Sequence, residues 1–576
     1  MNDSKMRDLL VQLYGEQDGV SVLGRLERIL DGYRDRLSPR PGGLSQRDSM
    51  LITYADQVQQ PGIPPLQVLG AFCGEHLSGV VTGIHILPFY PWTSDDGFAV
   101  VDYRQVSPEY GSWKDLRFAE GQFRLMFDAV INHVSVQNEW FQALLAGDHR
   151  YADYFIIPPR QADLSAVVRP RALPLLTSFP TRAGEKDVWT TFSTDQVDLN
   201  YKNPSVLLAI IDVLLFYVEQ GADFLRMDAI AYLWKEPGTS CIHLPQTHAL
   251  IRLFRAVLDA VAPYVSIITE TNVPHEENIS YFGDGTNEAR LVYNFSLPPL
   301  LLHAFQTANA ERLSDWAGRL RLPPGEVTFF NFLASHDGIG LNPLRGILPE
   351  EEIAEVVERT RAHGGLVSYK SMPDGSIQPY ELNINFFDAL NGPHETPSLD
   401  LQIDRFVTAH AILLALLGVP ALYFHSLVGA RGWPEGVAET GRNRTVNRQK
   451  FLRADLEAAL SDASSRQSRV FHRLAHLLKV RAGRAAFHPY GSQRVISCSP
   501  AVFGFERIAP DCTDRIICLH NVTAGSRRIE ADALPSGGRQ SGKWRDAITG
   551  RIVLPGREFR LEPYESLWLG WASPGR

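Results

Sequence analysis

Eight short, nearly continuous apolar runs separated by stretches of helical periodicity constrain this 576-residue chain more than any other feature. They are LITYADQV (51–58), GVVTGIHILPFY (79–90), LMFDAVINH (125–133), DFLRMDAI (223–230), VSIITET (265–271), RLVYNFS (290–296), TFFNFLAS (328–335) and VPALYFHS (419–426). A strand covered on both faces needs no polar side, so such runs predict parallel strands flanked by helices. Between the third and fourth runs the helix is well marked. Asn203 is placed to cap it, Pro204 suits its first turn, Leu207, Ile211, Leu214, Leu215 and Val218 share one face, and Gly221 ends it. Helix and strand repeated around a closed sheet give an α/β fold, a (β/α)8 TIM barrel, whose chemistry sits at the carboxyl ends of the strands.

The barrel is expected over 51–485, interrupted by insertions at 134–200 and 338–400 that form walls of the site. A helical extension precedes it over 1–50, with Leu9, Leu13, Leu23, Leu26 and Leu30 at helical intervals, ending in the loop SPRPGGLS. From 486 to 576 the pattern changes to strands alone, RVISCSP, VFGFERI, RIICLHNV, RRIEADAL and FRLEPYESLWLGW, which predicts a C-terminal antiparallel β-domain.

Composition removes several classes of function. Lys and Arg number 56 against 65 acids, a formal charge of −9, so a nucleic acid has no electrostatic reason to bind. Cys73, Cys241, Cys498, Cys512 and Cys518 are odd in number and form no CxxC pair, which argues against a disulfide framework or zinc site and fits the cytoplasm. MNDSKMRDLL has no basic start followed by an apolar core, so no signal peptide is expected. The apolar stretch 409–430 approaches membrane-spanning length, but His410, Pro420 and His425 interrupt it, which predicts a buried helix and then a buried strand. With no EF-hand loop or HExxH motif, no metal is expected.

Retaining cleavage of a glycosidic bond needs one carboxylate to attack the anomeric carbon and one carboxylic acid to protonate the leaving oxygen. Asp228 in GADFLRMDAIAY is the candidate nucleophile. Arg226, two residues earlier on the same strand face, would hold it ionised. On the local motif alone, the two serve equally well as a structural ion pair. Glu270 in SIITETNVPH ends an apolar strand, where desolvation would raise its pKa for acid catalysis, although singly it would serve as a helix cap. FDAVINH adds Asp128, Asn132 and His133, and FLASHDG adds His336 and Asp337, groups suited to gripping sugar hydroxyls. Four such clusters, each ending a different predicted strand, outweigh any one of them.

In their order, DAVINH, FLRMDA, ITET and ASHD resemble the four motifs of the α-amylase family, glycoside hydrolase family 13. That resemblance implies Asp228 as nucleophile, Glu270 as acid/base and Asp337 as the carboxylate stabilising the transition state, with Arg226, His133 and His336 lining the glucose subsite. VTGIHILPFYPWTSDDGFAVVDY, GTSCIHLPQTH and FSLPPLLLHAF are similar to the sucrose-phosphorylase-like branch. By that likeness Asp95 and Phe98 of the DDGF loop belong to the glucose site, where Asp95 and Arg444 of NRTVNR would hold the outer hydroxyls as a charge-assisted pair. Tyr232 and Tyr380 would lie near the acceptor or phosphate. The branch implies a retaining phosphorylase with inorganic phosphate as co-substrate, no other cofactor, and no partner beyond sugar and phosphate, a homodimer being left open.

Two segments depart from the sucrose-specific pattern. ETNVPHEENISYFG stands where a His-Ser-Tyr stretch is usual, and PYELN carries Glu381 where a glutamine is usual. Both look more like the relatives acting on glucosylglycerate, with sucrose, sucrose 6'-phosphate and glucosylglycerol as alternatives. An α-glucosidase or transglucosidase would use the same residues, and a non-catalytic sugar-binding protein would be expected to have lost Asp228 or Glu270.

Overall fold

The computed structural model describes residues 2–171, 173–371, 376–393, 398–530, 534–535, 543–554 and 558–571. Eight strands close a parallel barrel: β1 (Met50–Thr53), β2 (Gly83–Ile86), β3 (Arg124–Ala129), β4 (Ala222–Met227), β5 (Ser266–Thr269), β6 (Leu291–Tyr293), β7 (Thr328–Asn331) and β8 (Val419–Tyr423). Each pairs with the next in chain order, and β8 pairs with β1. Each apolar run of the sequence holds one of them. Most runs continue past their strand because the first residues of the following loop are buried as well: Val130, Ile131 and His133 after β3 are each 2% exposed or less.

The helix Pro204–Glu219 runs as its residues require, with the Asn203 side chain accepting from Ser205 N at 2.9 Å and Gly221 at φ +108° turning the chain into β4. Helices Asn2–Tyr14 and Glu16–Arg34 lie on the barrel's outer helices. Their buried Leu10, Leu26 and Leu30 face inward, and the Tyr33 hydroxyl donates to Asp212 Oδ1 at 3.0 Å. The 409–430 stretch divides between helix Leu399–Ala415 and β8, followed by the short helix Phe424–Leu427. Among the described residues no helix is long and apolar enough to cross a membrane.

Both excursions carry structure of their own. The first pairs His133–Ser135 with Gln196–Asp198 and Leu176–Thr181 with Gly184–Trp189. The second forms a three-stranded sheet from Ile339–Gly340, Leu366–Ser371 and Ile377–Asn383, in which Gly340 stands opposite Glu381.

The C-terminal strands form a six-stranded antiparallel sheet and a separate two-stranded ladder, Arg527–Glu530 with Glu558–Leu561. The run FRLEPYESLWLGW is two strands rather than one, because the chain turns at Tyr564, φ +51°, and enters the larger sheet at Ser566. Trp544–Asp546 and Ile552–Val553 add two strands too short to show a period. Of the expected strand RRIEADAL, 527–530 is observed and 531–533 lie outside the described residues. A buried arginine fastens this sheet to the barrel, Arg507 donating to Ala415 O at 2.7 Å, and next to it Arg481 of the barrel helix Arg466–Ala482 donates to Leu414 O at 2.8 Å. Removing either would orphan carbonyls in a dry interface.

Candidate active site

The barrel's register builds the site. Asp128 of β3 is the cross-strand partner of Arg226 of β4, so both side chains enter the same inner layer. Arg226, 2% exposed, donates through Nη1 to Asp128 Oδ1 and to Asp228 Oδ1, the latter at 2.8 Å, while its Nη2 lies 3.8 Å from Glu270 Oε1. Asp228 and Glu270 are the first residues past β4 and β5. One guanidinium thus brings the two carboxylates to the same point from neighbouring strand ends. Behind it His85 Nε2 contacts Asp128 Oδ2 at 2.6 Å, with both side chains fully buried.

Asp337, past β7, completes the group. Arg444 Nη1 approaches its Oδ1 at 2.5 Å and His336 Nε2 lies 3.5 Å away. One pocket is lined by Asp228, Glu270, Asp337, Asp95, Phe98, His133, Tyr232, His336, Tyr380, Glu381 and Arg444. Arg226, expected to line the glucose subsite, lies beneath the floor. Phe98 stacks on His336 with ring centres 4.9 Å apart and planes 7° apart, and its carbonyl accepts from His133 Nε2 at 2.9 Å. Asp128 and Asn132 were expected to grip sugar, but both are buried under the pocket. Asn132 accepts from Lys235 Nζ at 2.6 Å and donates to Asp198 at 3.1 Å, so it supports the wall instead.

The charges differ from a free-solution set. Burial pushes Asp228 and Glu270 above the usual carboxylate range, and their mutual repulsion adds to it on Asp228, against the pull of Arg226. The pair therefore retains a proton where isolated carboxylates would not. Arg226 is 1.0 Å closer to Asp228 than to Glu270, from 3.8 − 2.8 Å, which favours the anion on Asp228 and the proton on Glu270. The sequence expectation that Arg226 holds Asp228 ionised omitted this burial. At Asp337 burial also acts upward, but Arg444, His336 and Arg448 outweigh it and bring the group down to about 2. His133 and His336 fall to about 4 and about 3 through burial and are neutral donors at pH 7. Burial raises the Tyr232 and Tyr380 phenols, which keep their protons.

The Asp95/Arg444 pair expected from the sequence does not form. Arg444 is drawn to Asp337 and to Glu381, which it meets through Nε at 3.0 Å and Nη2 at 2.6 Å, and Asp95 pairs instead with Arg171 at 3.0 Å. The Glu381 charge is thereby neutralised within the protein. Sequence reasoning missed Arg171, Phe192, Gln196 and Asn272 of the lining and Arg448 beside it. Arg448 ends the NRTVNR motif and contacts Asp96, whereas Arg171, Phe192 and Gln196 belong to an insertion without periodicity.

Gly97 fixes the loop that presents Asp95 and Phe98. At φ +116° a Cβ there would lie 2.6 Å from Pro88 O, a backbone atom that cannot swing aside. Gly97→Ala should destabilise the fold by roughly 2–4 kcal/mol from left-handed strain plus overpacking. Thermal unfolding checks this, and an unchanged Tm would show that the loop yields.

The family model for the α-amylase catalytic domain matches residues 78–321. The chain is 48% identical to the glucosylglycerate phosphorylase of Spirochaeta thermophila, over 98% of this chain and 98% of that protein. It is 44% identical to the glucosylglycerate phosphorylase of Escherichia coli K12, over 98% of this chain and 99% of that protein. Its fold matches the crystal structure of sucrose 6F-phosphate phosphorylase from Thermoanaerobacter thermosaccharolyticum with a TM-score of 0.71 and 24% identity, covering 83% of this chain and 94% of the other. With four ordered strand-end motifs, a closed parallel barrel and this near full-length identity, the chain belongs to the α-amylase family, glycoside hydrolase family 13, in its sucrose-phosphorylase-like branch.

Proposed function

We propose that the protein is a retaining glucoside phosphorylase that moves glucose from glucosylglycerate to inorganic phosphate. The observation that carries this reading is the pairing of a transfer centre with anion-handling groups in one pocket. Arg444 and Arg171 both line the space around Asp228 and Glu270, each held by carboxylates that an entering phosphate would replace. The near full-length likeness to proteins named glucosylglycerate phosphorylase supports the donor.

In this reading Asp228 attacks the anomeric carbon, the bond to the glycerate oxygen breaks, and that oxygen takes the Glu270 proton. A β-glucosyl ester on Asp228 results. Phosphate then attacks the anomeric carbon from the vacated side and gives a proton to Glu270, the ester bond to Asp228 breaks to return its carboxylate, and α-glucose 1-phosphate leaves. Asp337, ionised and ordered by Arg444, stabilises the positive charge developing on the sugar ring. Arg226 keeps Asp228 aimed, and Asp95 and His336 hold ring hydroxyls, with Phe98 against the ring's apolar face. Tyr232, Tyr380 and Arg444 receive the acceptor or phosphate. Phosphate is a co-substrate, and no step calls for a metal or organic cofactor.

Incubation with glucosylglycerate should yield glycerate and glucose 1-phosphate in equal amounts, with turnover rising with millimolar phosphate. Release of free glucose at a rate indifferent to phosphate would establish a glucosidase instead.

A further inference from the structure

We propose that Asn272 is the residue by which the pocket distinguishes a short hydroxy-acid acceptor from phosphate, an inference that rests on the phosphorylase reading above. Asn272 lies two residues past Glu270 and lines the same pocket as Tyr380, Glu381 and Arg444. Among the described residues its side-chain amide makes no hydrogen bond, and its Oδ1 is buried without a partner. An amide offers two donors and an acceptor, and leaving them unused away from water is unfavourable unless a ligand completes them.

The amide is also fixed in place. A Cβ on Gly340 would fall 2.5 Å from Asn272 Nδ2 and 2.6 Å from Oδ1, so the bare glycine backbone is pressed against it. Gly340 pairs with Glu381, Leu341 N donates to Tyr380 O at 2.9 Å, and Asn342 Nδ2 donates to Asn272 O at 3.3 Å. The hairpin that carries Tyr380 and Glu381 is therefore joined to the residue just beyond the acid/base.

Such a group separates the two acceptors by their chemistry. Glycerate brings hydroxyls that both donate and accept, together with a carboxylate, so it can satisfy either end of the amide. A phosphate dianion brings a single hydroxyl, whose proton is the one passed to Glu270, and otherwise only acceptors, so the amide oxygen is left unpaired. A site built to hydrogen-bond a hydroxyl discriminates against ligands lacking it. Asn272 thus favours glycerate over phosphate at the glucosyl-enzyme stage, while Arg444 and Arg171 serve the charge that both anions share.

The test glucosylates the enzyme with α-glucosyl fluoride, offers glycerate and phosphate at equal concentration, and measures the ratio of glucosylglycerate to glucose 1-phosphate formed. The ratio should fall about 10-fold in Asn272→Ala, the size of one lost hydrogen bond. It should fall similarly in Gly340→Ala, where the new Cβ displaces the amide. Asn272→Ser replaces the alanine variant if that protein does not fold. An unchanged ratio in folded variants, or equal losses of both products, would overturn the assignment. Wild-type enzyme that makes no glucose 1-phosphate here would reject the phosphorylase reading itself, and this inference with it.

Discussion

Asp228→Asn is expected to lower kcat by a factor of about 10⁴ or more while glucosylglycerate still binds, because an amide of the same shape cannot form the glucosyl ester. The variant keeps a partner for Arg226 in Asp128, so the floor of the pocket stays charge-balanced and folded. Binding followed by calorimetry together with steady-state turnover separates the two effects. A loss of less than tenfold would assign the nucleophile elsewhere and with it reject double displacement through Asp228.

Glu270→Gln should reduce turnover of glucosylglycerate by about 10²–10⁴-fold, the range for losing a positioned acid. With α-glucosyl fluoride, whose leaving group needs little protonation, the first half-reaction should persist while capture of the glucosyl unit slows. The ester on Asp228 then accumulates and appears in the intact mass as one added glucosyl unit. The pH dependence follows from the same residue. Glu270 works protonated and burial raises its folded pKa, so activity is lost as pH rises through a value above the usual carboxylate range. In Glu270→Gln this alkaline limb should vanish from the residual turnover of glucosylglycerate. If the limb survives, another group supplies it.

The eight barrel strands are legible in the sequence because burial on both faces removes polar alternation and leaves apolar runs. The catalytic carboxylates are legible because a parallel barrel delivers its chemistry where those runs stop. Asp228 and Glu270 are found by asking which acids end a strand. What the sequence does not disclose is competition among charges. Arg444 has Asp95, Asp337 and Glu381 within its neighbourhood and takes the last two, a choice set by distances that residue order does not encode. Depth is hidden in the same way. Asp128, Asn132 and His133 are near neighbours in one motif, yet His133 reaches the pocket while the other two lie beneath it. Arg171 and Gln196 depend on how an aperiodic insertion folds back, and Asn272 becomes conspicuous only once its amide is seen unbonded against Gly340.

The ion pairs closing Arg444 onto Asp337 and Glu381 mean that the pocket shows little bare positive charge to solvent. An entering phosphate must trade places with carboxylates the arginine already holds, so its net attraction is the small difference between two similar contacts. That arrangement favours a loosely held, readily exchanged co-substrate over a tight anion trap. It also lets glucose 1-phosphate depart without stranding an unpaired guanidinium, since the acids that yielded to it recover their partner.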